Sequence, residues 1–426
     1  MSAIIKKIDA LEILDSRGYP TIECSVVLSD NSIGTASIAS GASVGEHEAM
    51  EMRDNDHNRF KGKGVLLAIN NIITKIQPEL INKDPFDQEN IDAIMLNLDQ
   101  SKQKSILGAN SILAVSMAVA KAAANSAQVP FYQYLGGNNA IILPMPMMNV
   151  LNGGAHADNS VDIQEIMIIP YKAQTFSEAV HICFNVYQAL KQLLLKSNKV
   201  TAVGDEGGFA PDFDSNYDAM QMVLQAIEKA GYIAGKDVVM SLDIAASELY
   251  QANKYHLKSE NKSYNAEKWI DEISNWLNNF PIVSIEDAMD QNDFLGWQML
   301  TKKLGNKIQL VGDDVFVTNA ALLKHANQNK IANAILIKPN QVGSLTETLT
   351  AIGYAKKYNY SSILSHRSGE TEDTSIADIA VATGAGQIKS GAPCRTDRLA
   401  KYNQLLRIEK QLKNRAIFMA GQSLYK

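Results

Sequence analysis

Cysteine is scarce in this 426-residue chain: Cys24, Cys183 and Cys394 are the only three, far apart and without a C-x-x-C spacing. That excludes a disulfide framework and a cysteine-based zinc site, and points to reduced thiols in the cytoplasm. Long apolar runs are lacking too. The N-terminal string MSAIIKKIDALEILDSRG sets charges inside its apolar stretch, so no signal peptide is predicted. The most lipid-like segment, residues 106–120, is bounded by Lys104 and Lys121 and broken by Asn110, Ser111 and Ser116. It falls short of the ~20 residues that span a bilayer and reads as a small-residue helix packed in a core. Positive charge is not in excess either, with 40 Lys and Arg against 46 Asp and Glu, net −6. That balance argues against a nucleic-acid footprint and a polybasic membrane patch. Any anionic ligand must then be held by local positive charge or by a bound cation.

What is present is patterned. Hydrophobic residues make up 46% of the chain and charged ones 20%, a composition able to fill sizeable cores. The first forty residues read as strands, since TIECSVVL alternates and SIGTASIA sets β-branched residues between turn formers. Helical periodicity follows over residues 65–76, 88–98 and 110–124, punctuated by Pro78, Pro85 and Pro130. Strands followed by helices predict an α+β domain over residues 1–138, with the Gly-Gly-Asn-Asn stretch at 136–139 as a linker. Over residues 139–426 short apolar runs recur, each closing on polar or ionisable residues: VVMSLD, PIVSIED, IQLVGDD, AILIKPN, SSILSHR and GQIKSG. Their functional ends, Asp243, Glu286, Asp313, Lys338, His366 and Lys389, are separated by 43, 27, 25, 28 and 23 residues. Intervals of this size suit one strand plus one return helix. Their repetition predicts a closed (β/α) barrel that gathers these groups at its C-terminal mouth. An open doubly wound sheet is the alternative, but no G-x-G-x-x-G fingerprint follows a first strand.

Four constellations carry chemistry. Asp243, Glu286 and Asp313 on separate strands would repel one another unless a cation sat among them, and hard oxygen ligands select Mg²⁺ over zinc or copper. Lys338 and Lys389 directly follow apolar runs, where an unpaired ammonium is costly, so each needs an acidic partner or a chemical role. Near Mg²⁺ and a second lysine the pKa of Lys338 would fall, which makes it a candidate proton abstractor. In SHRSGETED, Arg367 and Ser368 beside His366 form a candidate phosphate site, because a guanidinium matches phosphate oxygens bidentately. In VGDEGGFAPDF, Glu206 beside two glycines is a candidate acid held close to a ligand. Two Gly/Ser/Ala-rich loops, ASGASVGEHEA and LNGGAHADNS, read as lids, with Ser43 and His156 as their ligand-contacting groups.

Taken together, these strings closely resemble the enolases. The likeness runs in order from ILDSRGYPTIE through SGASVGEHEAMEMRD, VDIQEIM, GDEGGFAP, SLDIAASE, SIED, VGDDVFVTN, LIKPNQVGS, LSHRSGETED and IKSGAP to KYNQLLRIE, and so covers essentially the whole chain. The resemblance implies an α/β fold: an N-terminal α+β capping domain followed by a (β/α)8 barrel of ββαα(βα)6 topology. It implies reversible dehydration of 2-phosphoglycerate to phosphoenolpyruvate, a hydro-lyase reaction of glycolysis and gluconeogenesis. By resemblance, Asp243, Glu286 and Asp313 hold a first Mg²⁺ and Ser43 helps hold a second. Lys338 takes the proton from C2, and Glu206, carrying a proton, gives it to the departing C3 hydroxyl. Glu165 and His366 join the catalytic set. Gln164, His156, Arg367, Ser368 and Lys389 contact substrate. A cytoplasmic homodimer or higher homo-oligomer, with neither nucleic acid nor membrane insertion, is likewise what the likeness implies.

Four positions depart from the family pattern: Tyr19 for Asn, Ala39 for Pro, Val44 for Thr, and Pro339 after Lys338 in place of a larger apolar residue. Val44 lacks a lid hydroxyl and Pro339 lacks an N–H, so lid kinetics and the seating of Lys338 are the properties these changes would touch. Two other readings compete. A racemase or muconate cycloisomerase of the same superfamily would show K-x-K on an early barrel strand, and none precedes Asp243. A non-catalytic binding or structural relative, of the kind found in lenses and on cell surfaces, would not need the intact set of Glu206, Lys338, His366 and Lys389.

Overall fold

The computed structural model describes residues 3–42 and 45–424. Ser43 and Val44 lie outside the described residues. The strands expected in the first forty residues are Ile5–Leu14, Pro20–Leu28 and Ile33–Ser37, which form one antiparallel sheet in sequence order. Its alternation holds in part: Ile22, Cys24, Val26 and Leu28 of the middle strand turn inward beneath the helix Ala109–Ser126. That helix is buried along most of its length, as its small side chains require. A Cβ on Gly34 would stand 2.1 Å from Ala122 N and 2.2 Å from Ala118 O, so strand and helix touch backbone to backbone. No single described helix is long and apolar enough to cross a bilayer. The helix expected to stop before Pro78 continues to Leu80 through a π-type stretch, Ile72–Ile76. The wider turn accommodates a proline that cannot donate to the preceding turn.

Eight strands then close a barrel: Met145–Asn152, Glu165–Ile169, Val239–Asp243, Ile282–Glu286, Gln309–Gly312, Ala334–Ile337, Ser361–Ser365 and Gly386–Lys389. The last six are the runs expected from sequence. The first pairs parallel to the eighth, whereas the second is antiparallel to both its neighbours. Two helices, Phe176–Lys196 and Asn216–Lys229, follow the second strand before the third, completing a ββαα start. The 43-residue interval after Asp243 holds a small three-stranded sheet, Tyr250–Gln251, Lys254–Leu257 and Lys262–Tyr264, in addition to its return helix. Helix starts follow capping rules: Thr175, Ser215, Asn265, Asp293 and Ser344 each accept an amide hydrogen bond from the first turn of the following helix.

The barrel interior is filled by Met145, Met147, Met167, Ile169, Val239, Val311, Leu336 and Ile363, with Leu424 packed against them. A filled interior leaves the opposite, polar end as the place for ligand. The N-terminal sheet and helices are tied to the barrel near that end. Ser40 and Gly369 exchange backbone hydrogen bonds at 2.7 and 2.9 Å, Lys121 pairs with Asp373 at 2.6 Å, and Asp92 accepts from Thr346 N at 2.9 Å.

Candidate active site

Strand register builds the mouth. Glu286 stands level with Asp243 across the fourth and third strands, and Glu165 level with Asp243 across the second and third. Glu165 reaches the mouth because the second strand runs backwards, so that its first residue takes the position a last residue holds elsewhere. Asp313 follows the fifth strand and Lys338 the sixth. Left-handed backbone collects nearby at Ala245 (φ 48°), Asp287 (42°), Val317 (41°) and Thr318 (57°). β-Branched residues rarely adopt it, so it persists only where surroundings enforce it. Here Asp287 accepts from the Asp313 and Asp314 amides at 2.8 and 3.0 Å, and Thr318 Oγ1 accepts from Lys338 N at 2.9 Å.

Two ammonium groups sit among the acids. Lys389 Nζ lies 2.8 Å from Asp243 Oδ2, 2.9 Å from Glu286 Oε2 and 3.0 Å from Glu165 Oε1. Burial alone would depress this ammonium, but Asp243, Glu165 and Glu286 outweigh it and hold it well above the ordinary lysine range. Lys338 Nζ pairs with Asp313 Oδ2, whose other oxygen accepts from Gln341 Nε2 at 2.9 Å. Burial again opposes the charge and Asp313 again outweighs it, so Lys338 is raised. Asp313 counts for more here than Arg367 and Lys389; the fall expected of Lys338 is tied to bound Mg²⁺, which would draw the Asp313 carboxylate away from the ammonium. Pro339 is the first residue of the short helix Pro339–Val342, where a missing N–H costs little, so this departure fits its place.

Across the mouth, Glu206 Oε2 is 3.5 Å from His156 Nδ1 and its Oε1 is 3.6 Å from His366 Nε2. Glu165 Oε1 is 3.7 Å from the same His156 nitrogen. Two buried carboxylates this close do not both ionise readily. Burial opposes the charge on Glu206, but His156 beside it and Arg398 behind the His366 ring lower it below the usual carboxylate range. Glu165, buried and facing Glu206, is pushed well above it. The pair therefore titrates as a unit, with one proton shared between its two carboxyls. His366 is kept well below the usual imidazole value by burial and is neutral.

Arg367 faces a carboxylate that the sequence reading missed. Its Nη1 donates to Glu48 Oε2 at 2.9 Å and Nη2 to Glu48 Oε1 at 3.3 Å, while Gln341 Nε2 joins Glu48 to Asp313. Ser368 Oγ lies 3.4 Å from His156 Nε2. Gln164, Glu165, Asp243, Asp313, Lys338, Arg367, Ser368 and Lys389 line one narrow cavity with His156, Glu206 and His366. Glu286 contacts it through Lys389. The predicted residues that are described are thus gathered at one site, and Ser43 lies outside the described residues.

The expected acids Asp243, Glu286 and Asp313 are divided between the two lysines. Among the described residues, His156, Glu165 and Glu206 form one group with ligand atoms within 4.8 Å of one another, and Asp287, Asp313 and Asp314 form another. The donors nevertheless suit a hard cation: they are almost all oxygens, and Gln164 Oε1 and Glu165 Oε2 are buried without a hydrogen-bond partner. Besides Glu48, sequence reasoning missed Arg398 and Lys401. Both lie on the buried stripe of the helix Thr396–Leu412, with Tyr402, Leu405, Ile408 and Leu412. A charge on an apolar stripe was the available signal, because such a group is buried only when paired.

Two family models match the chain. One, described as the enolase C-terminal TIM barrel domain, matches residues 140–426. The other, described as the enolase N-terminal domain, matches residues 5–135.

Proposed function

The chain belongs to the enolase family, and from that premise we propose that it interconverts 2-phosphoglycerate and phosphoenolpyruvate as a cytoplasmic hydro-lyase of glycolysis and gluconeogenesis. One observation carries the reading: two proton-handling groups face each other across the barrel. Lys338 follows the sixth strand and Glu165 begins the second, four strands away in either direction. An elimination that removes a proton from one carbon and hydroxide from the next needs a base on one side and an acid on the other.

In this reading the Lys338 amine takes the C2 proton. The Glu165–Glu206 pair, which shares one proton, delivers it through Glu206 to the departing C3 hydroxyl. His366 stands against Glu206 as the carboxylate forms, and His156 bridges the two acids. Arg367 and Ser368 hold the phosphate, with the Arg367 fork already aligned by Glu48. Lys389 and Gln164 address the substrate carboxylate. Asp243, Glu286 and Asp313 would hold one Mg²⁺, and Ser43 would contribute to a second. Bound there, Mg²⁺ supplies positive charge where a second negative charge develops on the substrate carboxylate. A homodimer or higher homo-oligomer is part of the same proposal and rests on the family resemblance alone.

Separating the two proton steps tests the reading. In deuterated solvent, Lys338→Ala should abolish exchange at C2, and Glu206→Gln should slow dehydration while exchange stays measurable. Persistent exchange in the first variant, or equal loss of both rates in the second, would count against these roles.

A further inference from the structure

We infer that Arg398 is a positioning residue that fixes the tautomer of His366, so that the ring turns its Nε2–H toward Glu206. The inference builds on the reading of Glu206 as the acid. Arg398 is fully buried, at 0% exposure. Its Nη1 donates to His366 Nδ1 and, at 2.6 Å, to the Arg367 carbonyl. Its Nη2 donates to the carbonyls of Ser368 at 2.7 Å and Asp205 at 3.2 Å, and its Nε lies 2.6 Å from Asp397 Oδ2.

A guanidinium has only donors and keeps its charge in proteins, so the imidazole nitrogen it meets must offer a lone pair. Nδ1 therefore carries no proton, and the one hydrogen of the neutral ring is on Nε2. Nε2 is the nitrogen 3.6 Å from Glu206 Oε1. A doubly protonated ring would set N–H against N–H beside a buried cation. Arg398 thus makes His366 a donor toward the carboxylate, which steadies the anion left once Glu206 has given up a proton.

The same side chain also sets the spacing between two loops. It grips Asp205, the neighbour of Glu206, and both Arg367 and Ser368, which follow His366. Gly391 makes room for it: at φ 75°, a Cβ there would stand 2.7 Å from Arg398 Cδ and 2.7 Å from the Glu206 carbonyl. The glycine of IKSGAP is required by this arginine as much as by its own backbone.

The test is ¹⁵N NMR of histidine-labelled full-length protein with Mg²⁺, the His366 signal being assigned by its loss in His366→Asn. Wild type should show a protonated Nε2 and an unprotonated Nδ1. Arg398→Met should lose that pattern and lower kcat about 100-fold with KM nearly unchanged, the low end of one acid–base group's contribution. Arg398→Lys, which keeps a donor, should retain the tautomer and recover part of kcat. A protonated Nδ1 in wild type, or an unchanged His366 signature in Arg398→Met, overturns the inference. If Arg398→Met does not fold, the wild-type and Arg398→Lys spectra decide alone, and a shifted tautomer in either counts against it. The spectra need no turnover, so a fixed tautomer in a protein inert toward 2-phosphoglycerate would sink the functional reading and leave this one standing.

Discussion

Replacing Lys389 by methionine keeps an unbranched side chain one atom shorter and deletes the charge shared by three buried acids. At 2.8 to 3.0 Å from Asp243, Glu286 and Glu165, each contact is worth about 5–6 kcal/mol gross at an effective dielectric of about 20. Desolvation of the ammonium and repulsion among the acids consume most of this. The net cost of stranding buried partners is about 3–5 kcal/mol. The pH dependence gives a sharper signature. Wild-type Lys389 is raised, so its contribution is complete below the ordinary lysine pKa and is lost only as pH climbs through the raised one. In the variant the acids regain protons, the folded state binds more of them than the unfolded state, and stability falls as pH rises from about 5 to about 8. Urea denaturation in EDTA across that range should show a gap from wild type that widens with pH. Added Mg²⁺ should close more of the gap than it adds to wild type, because no ammonium competes for the acids; about 2.7 kcal/mol is available at a hundredfold excess over Kd. A gap below about 1 kcal/mol at neutral pH, or one that widens toward acid, would refute this account of the mouth.

Two further predictions concern stability away from the cavity. Asp378, buried with Gln404 as its hydrogen-bond partner, is raised by burial to about 6. A carboxyl raised on folding costs stability as pH rises through the window between its two pKa values, so Asp378→Asn should gain about 2–3 kcal/mol above that window and nothing below it in urea titrations. A pH-independent effect would contradict the assignment. Gly34→Ala should destabilise by about 3 kcal/mol or more, since its Cβ meets Ala122 N and Ala118 O, backbone atoms that cannot swing aside. A melting temperature equal to wild type would show that strand and helix separate more readily than their packing suggests.

The six later barrel strands were legible because a buried parallel strand writes itself as an unbroken apolar run, and a barrel puts the next polar residue at its mouth. Glu165 was a different case. Its position depends on the second strand running backwards, and nothing in EIMII states a direction; only the family resemblance singled it out. Glu48 was hidden inside a string read as a lid. Arg398 and Lys401 were hidden because a sequence shows a charge without its partner, and the partners lie up to 193 residues away in Asp205. What sets the balance within the acid pair was hidden for the same reason: His156 and Arg398 converge on Glu206 through space, far from it in sequence.

The central claim is that this mouth dehydrates 2-phosphoglycerate with Mg²⁺ bound. The most direct test follows the ultraviolet absorbance of the enol product after purified protein is mixed with 2-phosphoglycerate and Mg²⁺. The account predicts a steady rise that EDTA stops and added Mg²⁺ restores. No EDTA-sensitive rise would contradict it.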